Sequence, residues 1–171
     1  MTASQLRPTV AGFFVKPRLP YPLIGIHWPA KAAQCGESNL TTAGGGIRAR
    51  RGESPEQAMR REIWEEYGLP DTAVDVTAMP HAPWAHNGKL YTWCLVVTDR
   101  DPEPEKLNAR EVSSFGWWTS TDQIGVAAAA MHENKRKMFL RALGMACRMQ
   151  PDLFVNYKRD LKELRKQRQY A

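Results

Sequence analysis

The spacing of hydrophobic and polar positions changes several times along this chain, and each change marks an element. Residues 9–15 are short, β-branched and aromatic, which predicts a strand. Pro17, Pro20 and Pro22 mark a connection, and residues 23–28 predict a second strand stopped by Pro29. Leu40-Thr41-Thr42-Ala43 predicts a short third strand running into Gly44-Gly45-Gly46. The period then becomes helical, with Met59, Ile63 and Tyr67 at i, i+4 and i+8. Ser54 is a good N-cap, Pro55 suits the first helical position, and Gln57 completes a capping box. Gly68 is a natural stop, with Pro70 just beyond.

Further on, residues 74–79 alternate loosely. Residues 90–98 form the clearest strand in the chain, preceded by the turn pair Asn87-Gly88. Residues 101–105 set prolines among acids and predict a loop. Residues 114–119, with Trp117 and Trp118, predict a strand, followed by a short helical turn near 120–124. Residues 127–149 read as a helix carrying Met131, Met138, Leu140, Leu143 and Met145. Pro151 breaks it, and residues 152–171 follow at near-helical spacing, with Leu153, Phe154, Tyr157, Leu161 and Leu164 among many lysines and arginines. Strands around one central helix, with helices at the end, predict a mixed α/β (α+β) domain whose helices pack on sheet faces. The expected division is one domain over 1–150 and a basic C-terminal helix over 151–171 packed on it.

Composition narrows the class. A chain of 171 residues suits one domain, and 43% hydrophobic residues can bury an ordinary core, which excludes a disordered tail. No apolar run approaches the ~20 residues that span a bilayer, and no secretory signal is evident. Cys35, Cys94 and Cys147 are odd in number and scattered, so neither a disulfide framework nor a zinc site is expected. A cytoplasmic location follows as an expectation. The net charge of +6 favours polyanionic partners such as nucleotides, phosphorylated metabolites or RNA over a membrane.

The candidate chemistry lies in one short stretch. A helix turns about 100° per residue, so Glu62, Glu65 and Glu66 fall within about 100° of one another, while the Met59/Ile63/Tyr67 stripe is expected to face elsewhere and bury. Oxygen-only ligands suit Mg²⁺ or Mn²⁺ rather than zinc. Such ions hold phosphate oxygens, and a neighbouring carboxylate can deprotonate an attacking water. The competing reading is a solvated acidic face paired with Arg60 or Arg61.

The flanks decide between these readings. Glu53, seven residues, then Arg61-Glu62-Ile63-Trp64-Glu65-Glu66-Tyr67-Gly68-Leu69 resembles the Nudix box, the signature of the Nudix hydrolases. One departure stands out: six residues, not five, separate Gly46 from Glu53. The resemblance implies an α/β/α sandwich with a mixed sheet, to which the helical pattern of the last third adds C-terminal helices. It implies Mg²⁺-dependent hydrolysis of a nucleoside diphosphate linked to another moiety, with water attacking phosphorus. Glu65 and Glu66 are then the principal metal ligands, Glu62 a ligand or the general base, and Arg61 and Glu53 a pair holding loop to helix. The carbonyl of Gly46, or of Gly45, turns toward the metal. Glu111 lies where many members place a carboxylate outside the box.

Substrate recognition is less determined. Arg48, Arg50 and Arg51 put positive charge in the box loop, where they could meet a phosphate chain. Trp84 and Trp93, with Tyr91, Trp117 and Trp118, are candidates for stacking on a base. His81, Pro83 and His86 stand in a loop after the box. Residues 87–93 and the basic C-terminal segment resemble RNA 5′-pyrophosphohydrolases, so RNA is an alternative substrate. A nucleotide- or RNA-binding module without turnover is the other alternative, and a homodimer is left open.

Overall fold

The computed structural model describes residues 6–31, 40–80, 84–119 and 121–160. Cys35, His81, Pro83 and the segment 161–171, with Leu161 and Leu164, lie outside the described residues. Six strands form one mixed sheet: β1 (Arg7–Lys16), β2 (Leu23–Pro29), β3 (Asp75–Ala78), β4 (Trp84–His86), β5 (Lys89–Val97) and β6 (Val112–Trp118). Their order is β3-β5-β1-β2-β6, and β4 extends the β3 edge of β5. The central pair β1–β5 is parallel, and every other pair is antiparallel. β4 was not foreseen; it is the short arm of a hairpin that turns at Asn87 and Gly88, both with positive φ.

Alternation along β1 sends side chains to two different layers. Val10 and Phe14 pack with Ala58, Met59, Ile63 and Tyr67 of α1 (Pro55–Tyr67). Phe13 and Val15 pack on the opposite face with α2 (Thr121–Ala129) and α3 (Glu133–Met149). A sheet with helices on both faces results, the α/β/α arrangement. Phe154 and Tyr157 are fully buried in the second layer, so residues 153–157 pack on the same core. The chain is helical again at residues 155–160. No described helix is long and apolar enough to cross a membrane.

Two expectations need correction. Residues 40–43 form no strand; single bridges, Thr41 to His27 and Gly46 to Thr9, tie this segment to the sheet. The glycines explain this, since a run of three carries no side chains to pack on a pleated surface. The helix expected over 127–149 is two helices, with α2 ending at Ala129 and α3 beginning at Glu133. Between them Met131 turns into the core, 5% exposed, and the chain changes direction around it.

Candidate active site

The sheet opens where β1 and β2 part. They pair only from Phe14/Gly25 to Lys16/Leu23, so the first half of β1 has a free edge. The segment 43–47 occupies that edge: Ala43 O accepts from Gly12 N, Gly45 O from Val10 N, and Ile47 N donates to Pro8 O. The glycine run therefore lies against the sheet directly beside α1.

The sequence fixes both ends of α1. Ser54 Oγ accepts from Gln57 N at 3.2 Å while Gln57 Oε1 accepts from Ser54 N at 2.9 Å, closing the capping box. Gly68 ends the helix in the left-handed region, its N–H donating to Trp64 O. The carboxylates do not share one fate. Glu62 and Glu66 are buried, whereas Glu65 is exposed. The expected separation of acidic and apolar faces is thus corrected for two of the three. Positions 59, 62, 63 and 66 are one continuous stripe at spacings of three and four, so Glu62 and Glu66 are carried inward with Met59 and Ile63.

Gly45 makes that burial sterically feasible. A Cβ at this position would stand 2.1 Å from Glu62 Oε1, so only glycine lets the loop lie over the carboxylate. Gly44 N donates to Glu66 Oε1 at 3.1 Å. The two candidate carbonyls differ: Gly45 O is spent on Val10 N, while Gly46 O faces the helix and accepts from Arg61 Nη2 at 2.9 Å. Between Gly46 and Glu53 the loop makes a single 3₁₀ turn, Ala49–Arg51, which Gly52 closes at φ 70°.

Arg61 ties these parts together. Its Nε donates to Glu53 Oε1 at 2.8 Å, and its Nη1 reaches Glu62 Oε1 at 2.5 Å and Glu65 Oε2 at 3.2 Å. Glu53 also accepts from Arg48 N at 2.6 Å. These bonds, the Arg61 one first, hold the Glu53 carboxyl below the usual carboxylate range.

The buried acids behave oppositely. Burial pushes Glu66 up to about 8, with Glu111, Glu62 and Glu65 adding repulsion against the Gly44 hydrogen bond. Burial also raises Glu62, opposed by Arg61. Behind Glu66 stands His27, whose Nδ1 lies 2.6 Å from the Tyr67 hydroxyl and 3.9 Å from Glu66 Oε2. The second contact is no ion pair, because burial, with Lys135 adding to it, lowers His27 to about 3 and keeps the imidazole neutral. Burial also holds Tyr67 well above its ordinary value, so its hydroxyl keeps its proton and shares a hydrogen bond with His27 Nδ1.

Among the described residues, no three His, Cys, Asp or Glu side chains converge into a finished cation cage. The donor chemistry nevertheless fits a divalent ion. Four mutually repelling carboxylates border one loop, and the most buried has a single backbone donor. A hard cation relieves that repulsion.

A cleft of about 640 Å³ opens in front of Glu66. Glu111, Gly44, Gly45, Gly46 and Trp93 line it. Arg48 stands outside it, 3.6 Å from Glu65, and Arg50 and Arg51 lie exposed on the 3₁₀ turn. Trp84 borders a smaller neighbouring pocket, beneath the guanidinium of Arg141. His86 reaches the main cleft. Sequence reasoning missed Arg7, His27, Lys89 and Lys135, which line it too. Only the register of β1 on β5 brings the first and third together, and periodicity carries no register between distant strands.

Solved structures share the fold at low identity. A NUDIX-family hydrolase from Clostridium perfringens has a TM-score of 0.54 at 21% identity, over 81% of this chain and 97% of that one. An Ap4A hydrolase of C. elegans has 0.56 at 13%, over 81% and 96%. The MutT protein of Methanosarcina mazei Go1 has 0.56 at 15%, over 82% and 95%. No curated protein matches the chain in sequence. The NUDIX domain model matches residues 27–142, more than half of the chain and the whole of the box, and the chain therefore belongs to the Nudix hydrolase family.

Proposed function

We propose that this Nudix pyrophosphohydrolase cleaves the anhydride of a nucleotide-type substrate with Mg²⁺, Mn²⁺ being able to replace it. The observation that carries the reading is the buried Glu66 carboxyl, held beside Glu62 and facing a cleft that also contains Arg7, Lys89 and Lys135. Acids on one side and cations on the other suit a metal-bound phosphate chain. Glu62, Glu65 and Glu66, with the Gly46 carbonyl and Glu111, would hold the cation. When bound, it neutralises phosphoryl oxygens and makes phosphorus more open to attack.

The chain's own groups do the rest. Arg61 orients Glu62 and Glu65 through its hydrogen bonds. His27 and Tyr67 support Glu66 from behind. A carboxylate of the set, Glu62 or Glu111, accepts the proton of the attacking water. The water oxygen bonds to phosphorus as the bridging P–O bond breaks, and two phosphate products leave. Trp93 offers an aromatic wall for the base.

A panel with Mg²⁺ tests this: nucleoside triphosphates, ADP-ribose, nucleotide sugars, dinucleoside polyphosphates and 5′-triphosphorylated RNA. Metal-dependent phosphate or pyrophosphate release from a nucleotide is expected. Tight nucleotide binding with no release in Mg²⁺ or Mn²⁺ would contradict it, and release from RNA alone would move the assignment to RNA 5′ ends.

A further inference from the structure

The floor of the cleft is a grid set by the parallel register of β1 on β5. Arg7 stands beside Lys89, Thr9 beside Tyr91, and Ala11 beside Trp93. Alternate residues of a strand share a face, and all six of these line the cleft. The next pair along, Phe13 and Leu95, belongs to the hydrophobic core. The floor thus grades from two cations, through two hydroxyls, to an indole. At ~3.3 Å per residue, about 13 Å separates the first row from the third. The opposite wall repeats this grading, with Lys135 in the first turn of α3 and then Met138 and Phe139.

The three cations come from three different elements, and none makes an ion pair with a described residue. Lys135 is exposed toward the cleft, yet the surrounding walls desolvate its ammonium; this first, and then Lys89, lowers its pKa. Arg7 reaches over the glycine loop: a Cβ on Gly46 would lie 2.7 Å from its Nη2. Like charges gathered without a counter-ion cost free energy, and an incoming anion recovers it. In the proposed reaction the phosphates flanking the cleaved bond are held at the carboxylate side. These cations therefore face phosphate beyond them.

We propose that Arg7, Lys89 and Lys135 form a subsite for an additional phosphate, so that the substrate is a nucleoside bearing a linear chain of three or more phosphates. This rests on the pyrophosphohydrolase reading above for where the chain is cut. A diphosphate ending in an uncharged sugar leaves the three cations unanswered. The chain can come from a free nucleotide or from the 5′ end of an RNA, which present the same chemistry.

The test compares the wild type with the triple variant Arg7→Ala/Lys89→Ala/Lys135→Ala and the single variant Lys135→Glu, each checked for fold by circular dichroism. In Mg²⁺, kcat/KM for a nucleoside triphosphate should exceed that for ADP-ribose about tenfold or more, corresponding to ~1.4 kcal/mol. The variants should lose that preference, kcat/KM for the triphosphate falling much further than that for ADP-ribose. In parallel, calorimetry in EDTA measures binding of inorganic tripolyphosphate, which needs no turnover. Binding by the wild type and loss in both variants supports the subsite even if no substrate is hydrolysed, an outcome that would sink only the reaction. A wild type that ignores tripolyphosphate, variants that bind it equally, or ADP-ribose as the better substrate would each overturn the subsite. A triphosphorylated oligoribonucleotide beside the free nucleotide identifies the source of the chain, and preference for either supports the proposal.

Discussion

Arg61 holds Glu53 through two contacts, Nε to Oε1 at 2.8 Å and Nη2 to Oε2 at 3.3 Å, and so ties the glycine loop to the helix that carries the carboxylates. The same guanidinium also reaches Gly46 O, Glu62 and Glu65. A lysine ammonium cannot reproduce this planar fork. Arg61→Lys should therefore lower stability by about 2 kcal/mol, within the range of hydrogen bonds to charged groups. It should also lower kcat well beyond any change in KM. Thermal melts and steady-state kinetics check this together; a variant with wild-type kcat would remove Arg61 from its orienting role.

Gly45 is the second test of the loop. A methyl group there stands 2.1 Å from Glu62 Oε1, so either the loop lifts or the carboxylate rotates away. Gly45→Ala should reduce turnover by about tenfold or more, ~1.4 kcal/mol at the transition state, with the fold intact. Gly52, whose Cβ would meet nothing within 4 Å, gives a control. Gly52→Ala meets backbone strain at φ 70° and should cost stability, about 1 kcal/mol, with far less effect on turnover. Equal turnover losses in the two variants would contradict the assignment of Gly45.

In the proposed site, Glu66 should make metal binding pH-dependent. Its carboxyl in the metal-free fold lies near 8, above the ordinary 4.5. The stability this group contributes is complete below about 4.5 and is lost as pH rises through about 8. A cation needs the carboxylate, so binding below pH 8 expels a proton. Mg²⁺ titrations at pH 6.5, in two buffers of different ionisation enthalpy, should show release of about one proton. Affinity should rise between pH 6 and 8. Apparent enthalpies that coincide in the two buffers would contradict this.

Tyr67 supports His27, with Oη 2.6 Å from Nδ1 in a site where both are almost fully buried. Tyr67→Phe leaves that nitrogen without its hydrogen-bond partner, which should cost ~1–3 kcal/mol, seen as a lower Tm at neutral pH. His27 adds a pH limb of its own. Its folded pKa, about 3, lies below the ordinary 6.5, so the linked stability is complete above 6.5 and is lost as pH falls toward 3. His27→Gln should flatten that limb; an unchanged acid melting profile would contradict the buried, neutral imidazole.

How far the sequence spoke depended on the range of each interaction. The start and end of α1 rest on local chemistry, Ser54, Pro55, Gln57 and Gly68, and were legible residue by residue. Strands β1, β2 and β5 were legible from composition, because burial on both faces leaves long apolar runs. The inward turn of Glu62 and Glu66 was not, since carboxylates read as polar until Gly44 and Gly45 are seen packed over them. The break between α2 and α3 was hidden for a similar reason: residues 130–132 carry no proline or glycine, and the burial of Met131 shows only in three dimensions. Arg7 and Lys89, far apart in the chain, meet only through a parallel register that no local pattern encodes.

In the proposed reaction Glu66, with its neighbouring carboxylates, makes this cleft a metal-dependent pyrophosphohydrolase site. The most direct measurement is the initial rate of nucleotide hydrolysis in Mg²⁺ for the wild type and for Glu66→Gln, which keeps size and the Gly44 hydrogen bond but removes the charge. The account predicts a loss of at least about a hundredfold, ~2.7 kcal/mol, with an unchanged circular dichroism spectrum and a Tm no lower than that of the metal-free wild type. A Glu66→Gln protein that hydrolyses the same substrate at the wild-type rate would contradict it.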